Sequence, residues 1–145
     1  MSIRIESREN SLVKRLVRLS NDRKFRKEMQ EMVCEGEKML GEALSSGMDI
    51  HDILLAEDAE LDTALLRQAE GQGAKLYICP SSLLSKVSNV KTPQGVVFSC
   101  ERPVAELHVL QDAKRLMVLE GLQDPGNMGT ILRTADALGI DAVFS

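Results

Sequence analysis

Three glycines, Gly121, Gly126 and Gly129, fall between an apolar run and a helical pattern in the stretch LEGLQDPGNMGTILRTADALG, residues 119–139. Backbone N–H groups in such a loop, at the start of a helix, can meet an anion. Known phosphate loops nevertheless fit badly. Gly121 and Gly126 have the spacing of a P-loop, but Asn127 and Met128 stand where Lys and Ser/Thr would have to reach phosphate and magnesium. The glycines do not follow GxGxxG either, which disfavours a dinucleotide site. Two polar side chains remain. Asn127 can cap the helix start through its side-chain oxygen. Arg133 is either a surface arginine paired with Asp136 three residues on, or a cation with a function.

These residues need a strand, a turn and a helix to position them. Leu116–Leu119 reads as a buried-type strand, Gly121–Asn127 as a loop and Met128–Leu138 as a helix. Met128, Ile131, Leu132, Ala135 and Leu138 form its expected core face, Gly139 ends it, and Ile140–Phe144 reads as a second strand. That is a single βαβ unit. One such unit cannot bury both faces of a parallel sheet, so the pattern is expected to be the opening of a longer domain cut short near Ser145.

Upstream, strands and helices alternate. Ser11–Leu19 is a basic amphipathic helix and RKFRKEMQ (23–30) a second helical stretch. Met32–Cys34 is a strand and Lys38–Ser46 a helix. Strand Ile50–Leu55, helix Ala59–Glu70 and strand Lys75–Cys79 follow, then a short helix from Ser81 and strand Val96–Cys100. This alternation predicts an α/β sheet covered by helices. Glu101-Arg102-Pro103 is the expected linker, giving domains at 1–103 and 104–145.

Charge is distributed unevenly. Residues 1–30 carry nine Lys/Arg against four Asp/Glu, although the whole chain has a net charge of −4. The segment is either an electropositive patch able to hold phosphate or a solvated helix face. Aromatics are only 3% of residues, too few for many base-stacking platforms. Cys34, Cys79 and Cys100 lack metal or redox spacing and read as buried thiols, and His51 and His108 complete no metal site. Neither a signal peptide nor an apolar span of about 20 residues is present, so a cytoplasmic location is expected.

DPGNMGTILRTADALGIDAV closely resembles the first conserved motif of the SpoU/TrmH family of RNA ribose methyltransferases, part of the SPOUT superfamily. IESRENSLVKRLVRL, VCEGEKMLGEAL and VKTPQGVVF, in that order, resemble the ribosomal-protein-like RNA-binding domain that precedes the catalytic domain in many members. The resemblance implies an α/β/α RNA-binding domain followed by the first βαβ unit of an incomplete trefoil-knot domain. It also implies S-adenosylmethionine-dependent 2′-O-methylation of rRNA or tRNA, without a metal, by an enzyme that dimerises through its catalytic domain. Asn127 and Arg133 match the family's active-site asparagine and arginine. Lys14, Arg15, Arg18, Lys24, Arg26 and Lys27 are the candidate RNA-phosphate contacts. The donor-binding motifs do not occur in these residues, so the chain alone is expected to be inactive. The competing readings are a non-enzymatic RNA-binding module of ribosomal-protein type and a phosphate-loop nucleotide-binding domain.

Overall fold

Aliphatic runs that alternate between two faces pair into one sheet when each face has a helix layer to bury it. A computed structural model describes residues 2–90, 92–104 and 110–145. They fall into two compact units, Met1–Pro103 and Val104–Ser145.

The first unit runs β1 (Ile3–Arg4), α1 (Ser11–Asn21), α2 (Arg23–Met29), β2 (Glu31–Glu35), α3 (Glu37–Ser45), β3 (Ile50–Ala56), α4 (Thr63–Gly71), β4 (Lys75–Cys79), α5 (Ser81–Val87) and β5 (Val96–Glu101). Its sheet order is β1-β4-β3-β5-β2. β1 and β3 lie parallel to β4, while β5 runs antiparallel to both of its neighbours. Leu12, Val13 and Leu16 of α1 and Leu83, Leu84 and Val87 of α5 pack with Leu54 and Val97 on one face. Leu40 and Leu44 of α3 and Ala69 of α4 pack with Ile53, Leu55 and Phe98 on the other. The expected α/β/α layering is therefore present. Leu16, Leu40, Ile53, Leu54 and Phe98 are almost wholly buried, each contributing roughly 1.5–3 kcal/mol of transfer free energy.

One irregularity governs the first face. Ile50 pairs with Cys100 but Asp52 pairs with Ser99, leaving His51 as an extra, bulged residue in β3. The bulge reverses the alternation. Ile50 lies in the same cluster as Ile53 and Leu55, while Asp52 turns to the α1 side, where Arg15 grips it.

Local chemistry sets the element ends. Asn10 caps α1, its side chain accepting from the Leu12 N–H at 2.9 Å. Asp22 accepts the Phe25 N–H at 3.0 Å to start α2. The helix expected from Ala59 begins instead at Thr63, because Asp62 takes the Ala64 N–H at 2.8 Å and acts as the cap. β1 has no counterpart in the sequence reading. Gly36 adopts φ 101° and donates to the Val96 carbonyl at 3.0 Å. A Cβ there would meet only the end of the flexible Gln94 side chain, so it is the φ of 101° that calls for glycine.

The second unit comprises β6 (Leu116–Val118), α6 (Pro125–Ala137) and β7 (Ala142–Phe144), with β6 and β7 parallel. Of the core face expected for α6, only Ala135 is buried, whereas Leu132 and Leu138 are exposed. Two strands of three residues each offer little surface to cover a helix of 13.

Among the described residues no helix is long and apolar enough to cross a membrane, and no group of three or more His, Cys, Asp and Glu is placed to hold a metal. His108 lies outside the described residues. Cys79 and Cys100 are buried, but Cys34 is only half-buried, and it sits diagonally across the β2–β5 ladder from Cys100. Burial pushes the Cys79 thiol up to about 11. The hydrogen bond between Cys34 and Cys100 raises Cys100, with burial adding to the effect, and lowers Cys34. The thiolate is the reactive form, so a disulfide reagent at pH 8 should titrate Cys34 first and reach Cys79 and Cys100 only after denaturation. Three thiols reacting at one rate in the folded protein would contradict this arrangement.

Candidate functional site

At the start of α6 the structure differs from the expected helix cap. Asp124, not Asn127, is the N-cap: its Oδ1 accepts from the N–H groups of Gly126 at 2.6 Å and Asn127 at 3.2 Å. Pro125 supplies the first helical position, where its fixed φ and missing donor cost nothing, and so the helix begins three residues earlier than expected. Asn127 is left inside the first turn with an exposed side chain free of capping duty.

Arg133 also departs from its simplest reading. It makes no ion pair with Asp136 among the described residues. Its Nη2 instead reaches back toward the Thr130 hydroxyl at 3.5 Å. Helical side chains lean toward the N-terminus, which directs Arg133 to the preceding turn and away from Asp136. The guanidinium passes beside Gly129, where a Cβ would lie in ordinary contact at 3.6 Å from Arg133 Nη1. Thr130 is in turn held by its own bond to the Gly126 carbonyl at 3.0 Å. Asn127, Thr130 and Arg133 therefore follow one another at intervals of three residues on the exposed side of α6. An amide, a hydroxyl and an unpaired guanidinium share this face, which suits it to a ligand with negative oxygens.

The basic segment of the first unit separates into cations engaged in the fold and cations facing solvent. Arg15 belongs to the first group. Its Nη1 donates to Glu31 at 2.5 Å, its Nη2 bonds Asp52, and Glu31 also bonds His51 Nδ1. Glu31 and Asp52 are buried, and the Arg15 side chain is 27% exposed. Arg15 was expected among the phosphate contacts. The structure gives its guanidinium to two carboxylates instead, since those buried charges need a partner.

Arg26 is half-structural. Its Nη1 donates to the Leu19 and Ser20 carbonyls at 2.7 and 3.0 Å, closing the end of α1. Lys14 pairs with Glu9, Lys24 with Glu28, and Arg18 with Asp22 while also lying over the Phe25 ring. These exposed pairs are worth about 0–1 kcal/mol each, weak enough to exchange for another anion. Lys27 is exposed and makes no ion pair among the described residues.

Residues 10–97 match the MRM3-like substrate binding domain. The chain belongs to that family. It is also 33% identical over 139 residues to the 23S rRNA (guanosine(2553)-2′-O)-methyltransferase RlmP of Bacillus subtilis, an alignment covering 96% of this chain and 52% of that protein. In structure it is similar to the AdoMet-bound rRNA methyltransferase of Sinorhizobium meliloti, with a TM-score of 0.82 at 26% identity over 98% of this chain and 53% of that one. The SpoU methyltransferase AviRb of Streptomyces viridochromogenes shares the fold, with a TM-score of 0.76 at 22% identity over 93% of this chain and 52% of that one. The SpoU/TrmH resemblance read from the motifs is thus borne out. The chain spans about half the length of the curated relatives it matches.

Arg15 and Lys14 are neighbours in sequence with different duties, and stability measurements separate them. Arg15→Ala leaves two buried carboxylates without their cation. It should destabilise the first unit by about 2–4 kcal/mol, reduced from a fully buried pair because the guanidinium is partly solvated. Lys14→Ala should cost no more than about 0.5 kcal/mol. Equal, small losses in urea unfolding of the two variants would contradict the structural role given to Arg15.

Proposed function

We propose that the whole protein is a cytoplasmic, S-adenosylmethionine-dependent RNA 2′-O-ribose methyltransferase acting on rRNA or tRNA. In this reading residues 1–103 bind the RNA substrate, and residues 104–145 open a SPOUT catalytic domain that dimerises. The observation that carries the reading is the exposed face of α6, with Asn127 and an Arg133 that makes no ion pair among the described residues, in a chain 96% of which aligns with a relative named as a 2′-O-methyltransferase.

S-adenosylmethionine supplies a methyl group from a sulfonium. Among the described residues of the second unit, those of the loop between β6 and α6 do not enclose the donor. Gly121, Gln123 and Asp124 are exposed, and the Asp124 carboxylate already takes the first helix N–H groups.

The chain's own contribution is the handling of RNA. Arginine keeps its proton above pH ~12, which makes it a poor base but a permanent cation. Arg133 grips an RNA phosphate and stabilises the alkoxide that develops at the 2′-oxygen. Asn127, released from capping, orients the ribose or the Arg133 fork. Lys14, Arg18, Lys24, Arg26 and Lys27 hold the RNA by its phosphates, which positions it without reading sequence.

Single-turnover methylation of rRNA by the whole protein tests this assignment. Arg133→Ala should lower the rate by at least ~10²-fold with the melting temperature nearly unchanged. Arg133→Lys should also lose rate, because it keeps the charge but not the planar fork. Asp136→Ala should turn over normally. A normal rate for Arg133→Ala would remove the centre of the assignment.

A further inference from the structure

Several cations of the first unit make no ion pair among the described residues; Arg8, Arg67, Lys75 and Lys86 lie apart from the cleft beside α2, while the other four gather in it. Arg4 pairs with Glu6 and Glu57, Lys14 with Glu9, Arg15 with Glu31 and Asp52, Arg18 with Asp22, and Lys24 with Glu28. Arg23, Arg26, Lys27 and Arg102 make no ion pair among the described residues, and these four line a single cleft of about 340 Å³. Among the described residues no carboxylate lines it.

The clustering follows from the backbone. Arg23, Arg26 and Lys27 are at i, i+3 and i+4 of α2, which places them on one side of the helix. Lys24, paired with Glu28, occupies another side. Gln30 ends α2 in the left-handed conformation, φ 52°, and turns the chain into β2. Its carbonyl accepts the Arg102 N–H at 2.8 Å, bringing the residue just beyond β5 against the helix that lies about seventy positions earlier in the chain. Arg26 is pinned by its bonds to Leu19 and Ser20 and forms a fixed wall. Arg23, Lys27 and Arg102 are exposed at the rim.

Four like charges held together without a counter-charge repel one another, an arrangement that favours an anionic occupant. Guanidinium groups entering from two directions match the oxygens of a phosphodiester, to which arginine binds with two parallel donors. We propose that this cleft is a phosphate clamp for the RNA backbone, with Arg23 and Arg102 as contacts additional to Arg26 and Lys27. The proposal rests on the RNA-substrate reading of the first unit. It makes Arg102 part of the binding surface, where its place beside Pro103 suggests only a connector.

The test is RNA binding by the 145-residue chain, followed by fluorescence anisotropy at several salt concentrations. Arg23→Glu/Arg102→Glu changes exposed side chains only. Arg67→Glu/Lys75→Glu makes the same change in net charge at α4 and the start of β4, away from the cleft. The clamp variant should lose at least ~10-fold in affinity, and its log–log salt slope should fall by about 1 or more as phosphate contacts are removed. The control should lose less than ~3-fold. Equal losses in the two variants would overturn the clamp while leaving RNA binding intact. No RNA binding by the unsubstituted chain would overturn both the clamp and the reading beneath it. Binding of 5′-AMP as tight as that of RNA would also overturn the proposal, because the cleft would then be a site for a free nucleotide.

Discussion

A half-buried arginine facing two buried carboxylates is the constraint around which the first unit is arranged. Glu31 and Asp52 come from strands on either side of β5, and each would be costly to bury alone. Arg15 answers both, tying α1 to β2 and β3 at once. Asp52 shares the α1 face with Leu54, two residues on, and the β3 bulge at His51 lets Ile50 stay buried in the opposite cluster. The interaction also removes one cation from a segment that looks uniformly basic in sequence.

With Arg15 committed to the fold, the other basic residues take graded roles. Lys14, Arg18 and Lys24 hold exposed partners in contacts weak enough to exchange, and Arg26 is anchored by backbone carbonyls. Arg23, Lys27 and Arg102 are held by no acid among the described residues. A chain with a net charge of −4 can in this way present a concentrated positive site, because the four acidic residues of the segment pair with Arg4, Lys14, Arg18 and Lys24 and none of them lines the cleft beside α2. In the second unit Arg133 shows the same economy: the lean of helical side chains carries it away from Asp136 and leaves its charge available.

The layered α/β fold was legible because apolar periodicity reports burial directly, and the alternation of strand and helix survives into the structure with small shifts at the ends. Features that depend on single residues were not. β1 is two residues long and has no period to read. A one-residue bulge cannot be distinguished in sequence from ordinary alternation, so the partners of Arg15 were hidden. Asn127 looked like a cap because asparagine favours that position, but Asp124 followed by Pro125 is the stronger start signal. Arg102 drew notice only as a neighbour of Pro103, since its proximity to α2 comes from a backbone hydrogen bond to Gln30 across distant segments.

The central claim is that one basic segment divides into cations that hold the fold and cations that meet RNA. Arginine Nε–Hε resonances of the 145-residue chain, followed by NMR during titration with RNA, test this division residue by residue. The account predicts progressive shifts for Arg23, Arg26 and Arg102 and an unmoved signal for Arg15, locked against Glu31 and Asp52. A moving Arg15 signal with Arg23 and Arg102 unaffected would contradict it.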